Sequence, residues 1–317
     1  MRILVTGAGG FVGQHLTQHL RRTYPDAVLF GTLYRGRETA HSADIHYIQV
    51  DLLEQKATQD LLAETQPDQI FHLAGQASPG KSFTAPWKTL EVNIRAQLNL
   101  FEGCISLGLR PKFLLTSSAE IYAITPPEIM PLTEEAPLRP RNPYGLSKLT
   151  QDMMGLQYAL SHQFHTIRAR PFNHIGPGQS EGFVAPDFAG QIAKAEAGLQ
   201  EAVLHVGNLS AERDFTDVRD VVRAYVLLME KGEPGAAYNV SSNKAYSIQS
   251  LLEALLNLTH TPIKVQVDET KLRPVDVPSI VGDSQKLRDL TGWQPEVPFE
   301  QTLADLLEEC RQRVRTG

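Results

Sequence analysis

Residues 2–13 read RILVTGAGGFVG, a short apolar strand that runs directly into a glycine-rich turn and an amphipathic segment. Gly7, Gly10 and Gly13 have the spacing GxxGxxG. The first glycine permits a tight turn, the second lets backbone approach a pyrophosphate, and the third lets the next helix pack closely on the sheet. The positive end of that helix then faces the phosphates. We therefore expect Gly7, Gly10, Phe11, Val12 and Gly13 to bind a dinucleotide.

Short β-branched or aromatic runs alternate with longer helical patterns beyond this turn. The predicted strands are Arg2–Thr6, Ala27–Leu33, His46–Val50, Gln69–Ala74, Lys112–Ser117 and His165–Arg170. Apolar residues recur at helical spacing between them at Leu90, Ile94, Leu98, Phe101 and Ile105, and again at Leu149, Met153, Leu156 and Leu160. This alternation predicts an α/β fold with a doubly wound parallel sheet covered on both faces.

The pattern changes after Arg170, where a segment rich in glycine and proline precedes a helix with Phe188, Ile192 and Leu199 predicted to face inward. The unit 217–239 returns to the sheet pattern. We therefore assign residues 1–172 and 215–242 to a dinucleotide-binding domain. Residues 173–214 and 243–317 are assigned to a smaller α/β substrate domain, which should cover the carboxyl ends of the strands, where ligands bind in such sheets.

Composition excludes several classes of protein. The chain has 317 residues, a formal net charge of −6 and a pI near 5.9, which argues against a nucleic-acid or membrane-surface binder. Cys104 and Cys310 suggest no disulfide framework, and the ten histidines show no metal-binding spacing. No stretch approaches the roughly 20 apolar residues of a membrane span. Because a strand begins at residue 2, we expect no signal peptide and a cytoplasmic setting.

The second strand ends in Leu33-Tyr34-Arg35-Gly36-Arg37, where an NAD site usually places an acid for the ribose 2′-hydroxyl. Arginines suit a 2′-phosphate instead, so NADP(H) is the preferred cofactor and NAD(H) the alternative. Two further segments are assigned to the cofactor more weakly. They are Asp51 and Leu52, expected beside the adenine, and Leu73, Ala74 and Gly75, expected to let the cofactor backbone pass closely.

Tyr144 is followed one helical turn later by Lys148, and it is the only one of nine tyrosines with a lysine at that spacing. Asn142 and Pro143 are typical of a helix start. Ser118 ends a buried strand, where its hydroxyl can face a cleft. A free tyrosine has a pKa near 10, and the Lys148 ammonium and an oxidised nicotinamide are each expected to lower it. This trio predicts proton exchange at a carbonyl or alcohol.

The glycine turn and this trio resemble the extended short-chain dehydrogenase/reductases over the whole chain. The resemblance implies a Rossmann-type domain and a nucleotide-linked sugar substrate. The sugar dehydratases of that family carry Thr-Asp-Glu or Thr-Ser-Glu at the strand end, whereas this chain has Ser118-Ala119-Glu120. Ala119 lacks the central acid or hydroxyl, which weakens a dehydratase interpretation. Glu120 stays a candidate catalytic residue, with a remnant or a substrate contact as the alternatives.

Later segments resemble the GDP-6-deoxy-4-keto-D-mannose reductases more narrowly. They are 170–179, 180–188, 206–209, 213–220 and 272–274. The resemblance implies that Asn173 contacts the sugar diphosphate and that Arg213 and Arg273 clamp its phosphates, as charge-assisted donors do. His174 is either a cleft residue or a packed or cofactor-contacting one.

The resulting hypothesis is reduction of the 4-keto group of GDP-4-keto-6-deoxy-D-mannose to GDP-D-rhamnose. The alternatives are a GDP-mannose 4,6-dehydratase or another nucleotide-sugar dehydratase or 4-epimerase, and a non-enzymatic NADP-binding redox sensor. The resemblance also implies a homodimer, formed through two apolar helices at Leu90–Leu107 and Tyr144–His162. The alternative is that these apolar stripes only pack on their own sheet.

Overall fold

A computed structural model describes residues 1–34, 44–122, 129–271 and 278–316. Its central feature is one parallel sheet of seven strands. These strands are Arg2–Thr6 (β1), Val28–Leu33 (β2), His46–Gln49 (β3), Gln69–His72 (β4), Lys112–Thr116 (β5), Thr166–Pro171 (β6) and Ala237–Val240 (β11). The α/β prediction and the six predicted strands are confirmed, with ends that differ by one or two residues.

The strands lie in the order β3-β2-β1-β4-β5-β6-β11. The chain changes direction between β1 and β4, and in such sheets the crevice at this point, beyond the carboxyl strand ends, is where ligands bind. This order is that of a Rossmann-type doubly wound sheet, as predicted. The glycine turn after β1 and the segments after β4 and β5 therefore all open towards one edge.

Helices cover both faces of the sheet, so the strands in its interior are largely buried. The α-helices of the described residues are Phe11–Thr23 (α1), Gln55–Thr65 (α2), Pro79–Thr84 (α3), Pro86–Ser106 (α4), Pro143–His162 (α5), Val184–Glu196 (α6), Val218–Lys231 (α7), Ile248–Leu256 (α8), Gln285–Thr291 (α9) and Phe299–Thr316 (α10). Leu16 of α1 and Tyr225 of α7 are buried in the core on one face. Leu62 of α2, Phe101 of α4 and Tyr158 of α5 fill the core on the other.

A second core lies among α6, α8 and α10 and includes Phe188, Leu252 and Leu306. Short strands border it: Asn173–Ile175 (β7), Val203–Val206 (β8), Glu212–Arg213 (β9), Phe215–Asp217 (β10), Tyr246–Ser247 (β12), Lys264–Val267 (β13) and Ser279–Ile280 (β14). β7 pairs with β10, β8 with β13, and β9 lies between β12 and β14. Phe215, assigned from the sequence to the first domain, packs in this second core. The predicted residue boundaries of the two domains stay a prediction.

The prediction that Leu199 faces inward is wrong, because 68% of its surface is exposed. The helix that carries Phe188 and Ile192 ends at Glu196, and Gly198 then turns the chain with φ +70°. Glycine tolerates this left-handed conformation, so the helical periodicity stops before Leu199.

Candidate active site

The glycine turn between β1 and α1 is too tight for side chains at two positions. Gly7 has φ +72°, and a Cβ there would lie 2.9 Å from the backbone nitrogen of Ala74. A Cβ at Gly13 would lie 2.3 Å from the carbonyl oxygen of Gly7. At Gly10, by contrast, a Cβ would approach only the Gly7 oxygen, at 3.2 Å, among the described residues. Gly7 and Gly13 are thus required by packing, whereas Gly10 leaves space at the start of the helix.

The amino end of α1 has the features of a phosphate site. Gly10 is its N-cap residue, in an extended conformation, and supplies no side-chain cap. The first N–H groups of a helix have no partner within the helix and carry partial positive charge. Phe11, Val12 and Gly13 present these groups at the crevice. The donor set therefore fits the pyrophosphate of a dinucleotide.

The residues after β3 form an ordered turn. The Asp51 carboxylate accepts a hydrogen bond of 3.0 Å from the backbone nitrogen of Leu53. The Leu52 side chain is buried in the core, and its carbonyl oxygen accepts a bond of 2.8 Å from the Asn99 side chain. Contact with an adenine by Asp51 and Leu52 stays a prediction. Arg35, predicted at the 2′-phosphate, lies outside the described residues.

Leu73, Ala74 and Gly75 follow β4, next to the glycine turn. The backbone nitrogen of Ala74 donates to the Thr6 hydroxyl over 3.2 Å. A Cβ at Gly75 would lie 2.7 Å from the Asn93 side-chain oxygen. Packing against Asn93 is therefore a reason for glycine at this position that is separate from the predicted close approach of a cofactor.

Ser118, Tyr144 and Lys148 come together where β5 meets the start of α5. The Asn142 side chain caps α5 by accepting a bond of 2.7 Å from the backbone nitrogen of Gly145, which fixes Tyr144 in the first turn. The Ser118 hydroxyl lies close enough to the Tyr144 phenol to lower its pKa. One turn later the Lys148 ammonium donates to the Thr116 carbonyl oxygen over 2.8 Å. The predicted trio thus forms one cluster, at the edge to which the glycine turn also opens.

Burial shifts the two titratable groups of this cluster in opposite directions. It raises the pKa of Tyr144 to about 12, with a further rise from the Glu120 carboxylate and a partial lowering by the bond from Ser118. It lowers the pKa of Lys148 to about 8. In the protein alone the pKa of Tyr144 is raised, because desolvation of the phenol outweighs the other influences. Lowering of this pKa by Lys148 and an oxidised nicotinamide stays a prediction.

Glu120 is tied to the start of α5 by hydrogen bonds. Its backbone nitrogen donates to the Ser118 hydroxyl over 3.1 Å. Its carboxylate accepts a bond of 2.8 Å from the Asn142 side-chain amide, the same side chain that caps α5. Ala119, beside it, is buried in a small cluster with Phe172. Glu120 thus supports the cap of the helix that carries Tyr144, and its catalytic role stays a prediction.

The segment after β6 lies against the start of α1. His174 stacks on Phe11 with ring centroids 6.0 Å apart. A ring nitrogen of His15 bonds the Pro177 carbonyl oxygen at 2.7 Å. The other predicted residue, Asn173, is exposed, and its side chain has no hydrogen-bond partner within the described ranges. The structure thus places Asn173 close to the glycine turn with a free amide.

His174 is a packed residue in this segment. Its Nδ1 lies 3.1 Å from the Phe172 carbonyl oxygen, and burial lowers the pKa of its imidazole. Because a backbone carbonyl only accepts, Nδ1 carries the proton of the neutral ring. Stacking on Phe11 makes His174 part of the wall between the glycine turn and Asn173.

Arg213 is half-buried on β9 and donates to the carbonyl oxygen of Glu212 over 2.7 Å. β10 begins two residues later and pairs with β7, with Phe215 opposite Asn173. Arg213 thus lies two residues before the strand that pairs with the strand of Asn173. Arg273, the other predicted phosphate clamp, lies outside the described residues.

A buried ionic cluster below α5 was not predicted from the sequence. Asp152 accepts bonds from Arg168 at 2.6 Å and from Arg170 at 2.9 Å, and Arg170 also donates to the Tyr122 hydroxyl over 3.0 Å. The two arginines lower the pKa of Asp152 despite its burial. Arg168 and Arg170 are two residues apart on β6 and therefore share a face of the strand. This spacing is the feature of the sequence from which the cluster could have been predicted. This cluster fixes α5, and with it Tyr144 and Lys148, on the sheet.

Within 1–34, 44–122, 129–271 and 278–316, no three or more His, Cys, Asp or Glu side chains are grouped so that they could hold a metal ion. In the same part of the chain, no helix is long and apolar enough to cross a membrane.

Known proteins match nearly the whole chain. A model of the family described as GDP-mannose 4,6 dehydratase matches residues 4–306. GDP-6-deoxy-D-mannose reductase from Pseudomonas aeruginosa is 37% identical over 99% of this chain and 98% of that protein. GDP-mannose 4,6 dehydratase 2 from Arabidopsis thaliana is 27% identical over 96% of this chain and 86% of that protein. The solved structure of RMD from Pseudomonas aeruginosa complexed with NADPH is 34% identical, with a TM-score of 0.86, and covers 99% of this chain and 100% of that one.

Proposed function

The chain belongs to the GDP-mannose 4,6-dehydratase family, and from this premise we propose that it reduces the 4-keto group of GDP-4-keto-6-deoxy-D-mannose to give GDP-D-rhamnose. The observation that carries the proposal is the cluster of Ser118, Tyr144 and Lys148 beside a glycine turn suited to a dinucleotide. The reductase relative is more similar to this chain than the plant dehydratase is, which favours reduction. The predicted family resemblance is confirmed.

NADPH is the proposed cofactor, with NADH as the alternative. Gly7, Gly10 and the first residues of α1 would hold its pyrophosphate, and Arg35 is proposed to bind the 2′-phosphate. The similar structure with NADPH supports this preference. When bound, the cofactor supplies the hydride for the sugar C4.

The residues of the cluster would handle the proton and the carbonyl. Tyr144 is a neutral phenol at pH 7, because its pKa is raised to about 12, and it can donate a proton to the oxygen at C4. Ser118 bonds Tyr144 and is placed to bond the same oxygen. Lys148, charged below its pKa of about 8, would stabilise the phenolate that remains.

Asn173, Arg213 and Arg273 are proposed to bind the diphosphate of the substrate. Binding of the diphosphate, which is remote from the reacting atoms, would place C4 of the sugar in the orientation that the reaction requires. The free amide of Asn173 and its pairing with Phe215, two residues after Arg213, support this assignment.

The dehydratase and epimerase alternatives differ in how they use the cofactor. Both return the hydride and consume no NADPH. Ala119 and the bond between Glu120 and Asn142 disfavour a dehydratase, because elimination of water needs a further free acid or base. A redox sensor is disfavoured because Tyr144 and Lys148 are both present and placed together.

A direct assay tests the proposal. The purified protein is mixed with GDP-4-keto-6-deoxy-D-mannose and either NADPH or NADH, and cofactor absorbance and product are followed together. We expect one cofactor oxidised per GDP-D-rhamnose formed, faster with NADPH. Conversion of GDP-mannose to a keto sugar without net NADPH oxidation would instead identify a dehydratase, and oxidation only with another nucleotide sugar would refute the substrate.

A homodimer in the cytoplasm is the proposed state of the protein. Leu146, Met153 and Leu160 recur every seven residues on α5, and all three are exposed. Leu98 on α4 is exposed as well. Exposed apolar stripes on adjacent helices are typical of a helix-bundle interface.

The proposed cytoplasmic location is supported by the two cysteines. Cys104 and Cys310 are free and buried, as is usual in a reducing compartment. Cell fractionation tests the location.

A further inference from the structure

One fully buried carboxylate takes no part in the chemistry proposed above. Asp214 directly follows Arg213, and none of its surface is exposed. A charge that is removed from water is costly unless hydrogen bonds compensate for the lost hydration. Burial raises the pKa of Asp214 to about 6, although bonds from Ser242, Gly282 and Asn243 lower it in part. Asp214 is therefore a charged acceptor without contact to solvent at neutral pH.

Four donors from two other segments of the chain surround this carboxylate. Its Oδ1 accepts from the backbone nitrogen and from the hydroxyl of Ser242, each over 2.7 Å. Its Oδ2 accepts from the backbone nitrogens of Asn243 at 3.1 Å and Gly282 at 3.2 Å. All four of these donors are uncharged groups. Asp214 thus joins the end of β9 to the loop after β11 and to the residues that follow β14.

The backbone around Arg213 belongs to a small sheet with few bonds of its own. β9 lies between β12 and β14, and Arg213 is opposite Tyr246 on one side and Ile280 on the other. Each of these three strands has only two residues. The backbone nitrogen of Asp214 donates to the Ile280 carbonyl oxygen over 3.2 Å. The carboxylate of Asp214 therefore adds bonds at the end of β9, next to Arg213, where the ladder is short.

Gly282 connects the carboxylate to the segment of Asn173. A Cβ at Gly282 would lie 2.4 Å from the ring of Phe172, so the glycine backbone packs directly on that ring. Phe172 is itself buried and immediately precedes Asn173. Gly282 is thus held between the Asp214 carboxylate and the Phe172 ring. The two residues proposed to bind the diphosphate, Asn173 and Arg213, are the sequence neighbours of Phe172 and Asp214.

We propose that Asp214 is a positioning residue for substrate binding, whose carboxylate holds Arg213 and the segment of Asn173 in place for the diphosphate of the sugar nucleotide. Asp214 does not touch the substrate, because it has no exposed surface. The inference rests on the proposed function, which assigns the diphosphate to Arg213 and Asn173. Loss of the carboxylate weakens binding of a nucleoside diphosphate and leaves hydride transfer at C4 and the binding of NADPH unchanged.

Replacement of Asp214 by Asn tests this role in the full-length enzyme. All four partners are donors, so either orientation of the amide directs its NH2 group at donors and leaves a backbone N–H without its acceptor. We expect KM for GDP-4-keto-6-deoxy-D-mannose to rise at least about tenfold while kcat stays within about twofold of the wild type, the pattern of lost ground-state binding. A wild-type KM in the folded variant would overturn the proposal.

A milder variant covers the case in which Asp214→Asn does not fold. Ser242→Ala removes only the hydroxyl donor and leaves the three backbone bonds to the carboxylate. Because one hydrogen bond of four is lost, we expect KM for the sugar to rise by about two- to fivefold. An unchanged KM in Ser242→Ala, together with an unfolded Asp214→Asn, would refute the positioning role.

Asp220→Asn is the matched control for general destabilisation. Asp220 is also a buried aspartate, and its carboxylate accepts from the backbone nitrogens of Glu296 at 3.0 Å and Val297 at 2.9 Å. These bonds join α7 to the segment between α9 and α10, which contains no residue assigned to the substrate. We expect a lower melting temperature with an unchanged KM. An equal rise of KM in Asp220→Asn and Asp214→Asn would refute a specific role for Asp214.

Calorimetric titration with GDP separates this inference from the reductase assignment. GDP is titrated into the wild type and both aspartate variants in the presence of NADPH. We expect Asp214→Asn to weaken GDP at least about tenfold, and Asp220→Asn to bind it like the wild type. If the wild type reduced no keto sugar but these GDP affinities were found, the positioning role would be supported and the reductase refuted. Reduction by the wild type with equal GDP affinity in all three proteins would refute the positioning role alone.

Discussion

At the scale of single residues, Tyr144 is the group on which the proposed chemistry depends. Its buried phenol is the proposed proton donor of the cluster with Ser118 and Lys148. We expect Tyr144→Phe to lower turnover roughly 100- to 10,000-fold, the usual contribution of a general acid. NADPH affinity, measured by fluorescence titration, should be unchanged. Wild-type turnover in this variant would remove Tyr144 from the mechanism.

Lys148 gives the reaction a dependence on pH. Its folded pKa is lowered to about 8, so the ammonium is present below pH 8 and is lost above it, whereas Tyr144 keeps its proton up to about pH 12. Loss of the ammonium removes the charge that stabilises the phenolate. We therefore expect kcat/KM for keto-sugar reduction to be level below pH 8 and to fall above it. Lys148→Arg, charged throughout, should lack this fall; a level wild-type profile well above pH 8 would contradict the assignment.

Glu120 is expected to act as a positioning residue through Asn142. Glu120→Gln keeps an oxygen that accepts from the Asn142 amide, so reductase turnover should stay near that of the wild type. Glu120→Ala removes the acceptor and loosens the cap of α5, so kcat should fall while KM for the sugar changes little. If Gln were as damaging as Ala, Glu120 would be acting as an acid or base instead.

Tyr144 and Lys148 could be predicted from the sequence because they are four residues apart on one helix. Ser118 could be predicted because it ends a strand. The sequence did not reveal the bond between Glu120 and Asn142, which joins residues 22 apart whose contact depends on the loop between them. The raised pKa of Tyr144 also escaped the sequence, because desolvation depends on how completely the fold buries the phenol. Charge neighbours can be read from a motif, whereas burial cannot.

At the scale of elements, the attachment of α5 to β6 depends on Asp152. Its replacement by Asn leaves two buried guanidinium groups without a counter-charge, which typically costs about 3–5 kcal/mol. We expect Asp152→Asn to lower the free energy of unfolding in urea by this amount. Asp60→Asn, in an exposed pair with Lys56, is the control and should cost less than about 1 kcal/mol.

The stabilisation by Asp152 should also depend on pH. The folded pKa of Asp152 is lowered, so its stabilisation is present above its ordinary pKa of 3.8 and is lost as pH falls through the lower folded value. The difference in stability between the wild type and Asp152→Asn should therefore be constant near neutrality and shrink only in strong acid. A difference that vanished already at pH 6 would mean that Asp152 is not the group responsible.

Elements were predictable where one pattern repeats without interruption. Six of the seven strands of the large sheet follow from apolar runs in the sequence. Leu199 was misassigned because periodicity continues past Glu196 although Gly198 ends the helix. The two-residue strands β9, β12 and β14 carry no pattern of their own and exist only through pairing with each other.

At the scale of the whole molecule, association through α4 and α5 is the main expectation. Leu160 has 77% of its surface exposed on this face. We expect Leu160→Glu to convert a dimer into a monomer in light scattering, because a buried charge without a partner opposes association. Leu199→Glu, at a residue 68% exposed on another part of the surface, is the matched control and should stay dimeric. A monomeric wild type would exclude the dimer.

The course of the chain through the large sheet has a consequence for its synthesis. β6 ends at Pro171, and β11, its neighbour, begins only at Ala237. While the ribosome makes the intervening residues, the emerging polypeptide carries an open strand edge along β6 and an apolar face that α7 has yet to cover. Such edges recruit other chains. We therefore expect the nascent chain to need protection from association with other chains, such as a chaperone provides, until residue 240 has left the exit tunnel.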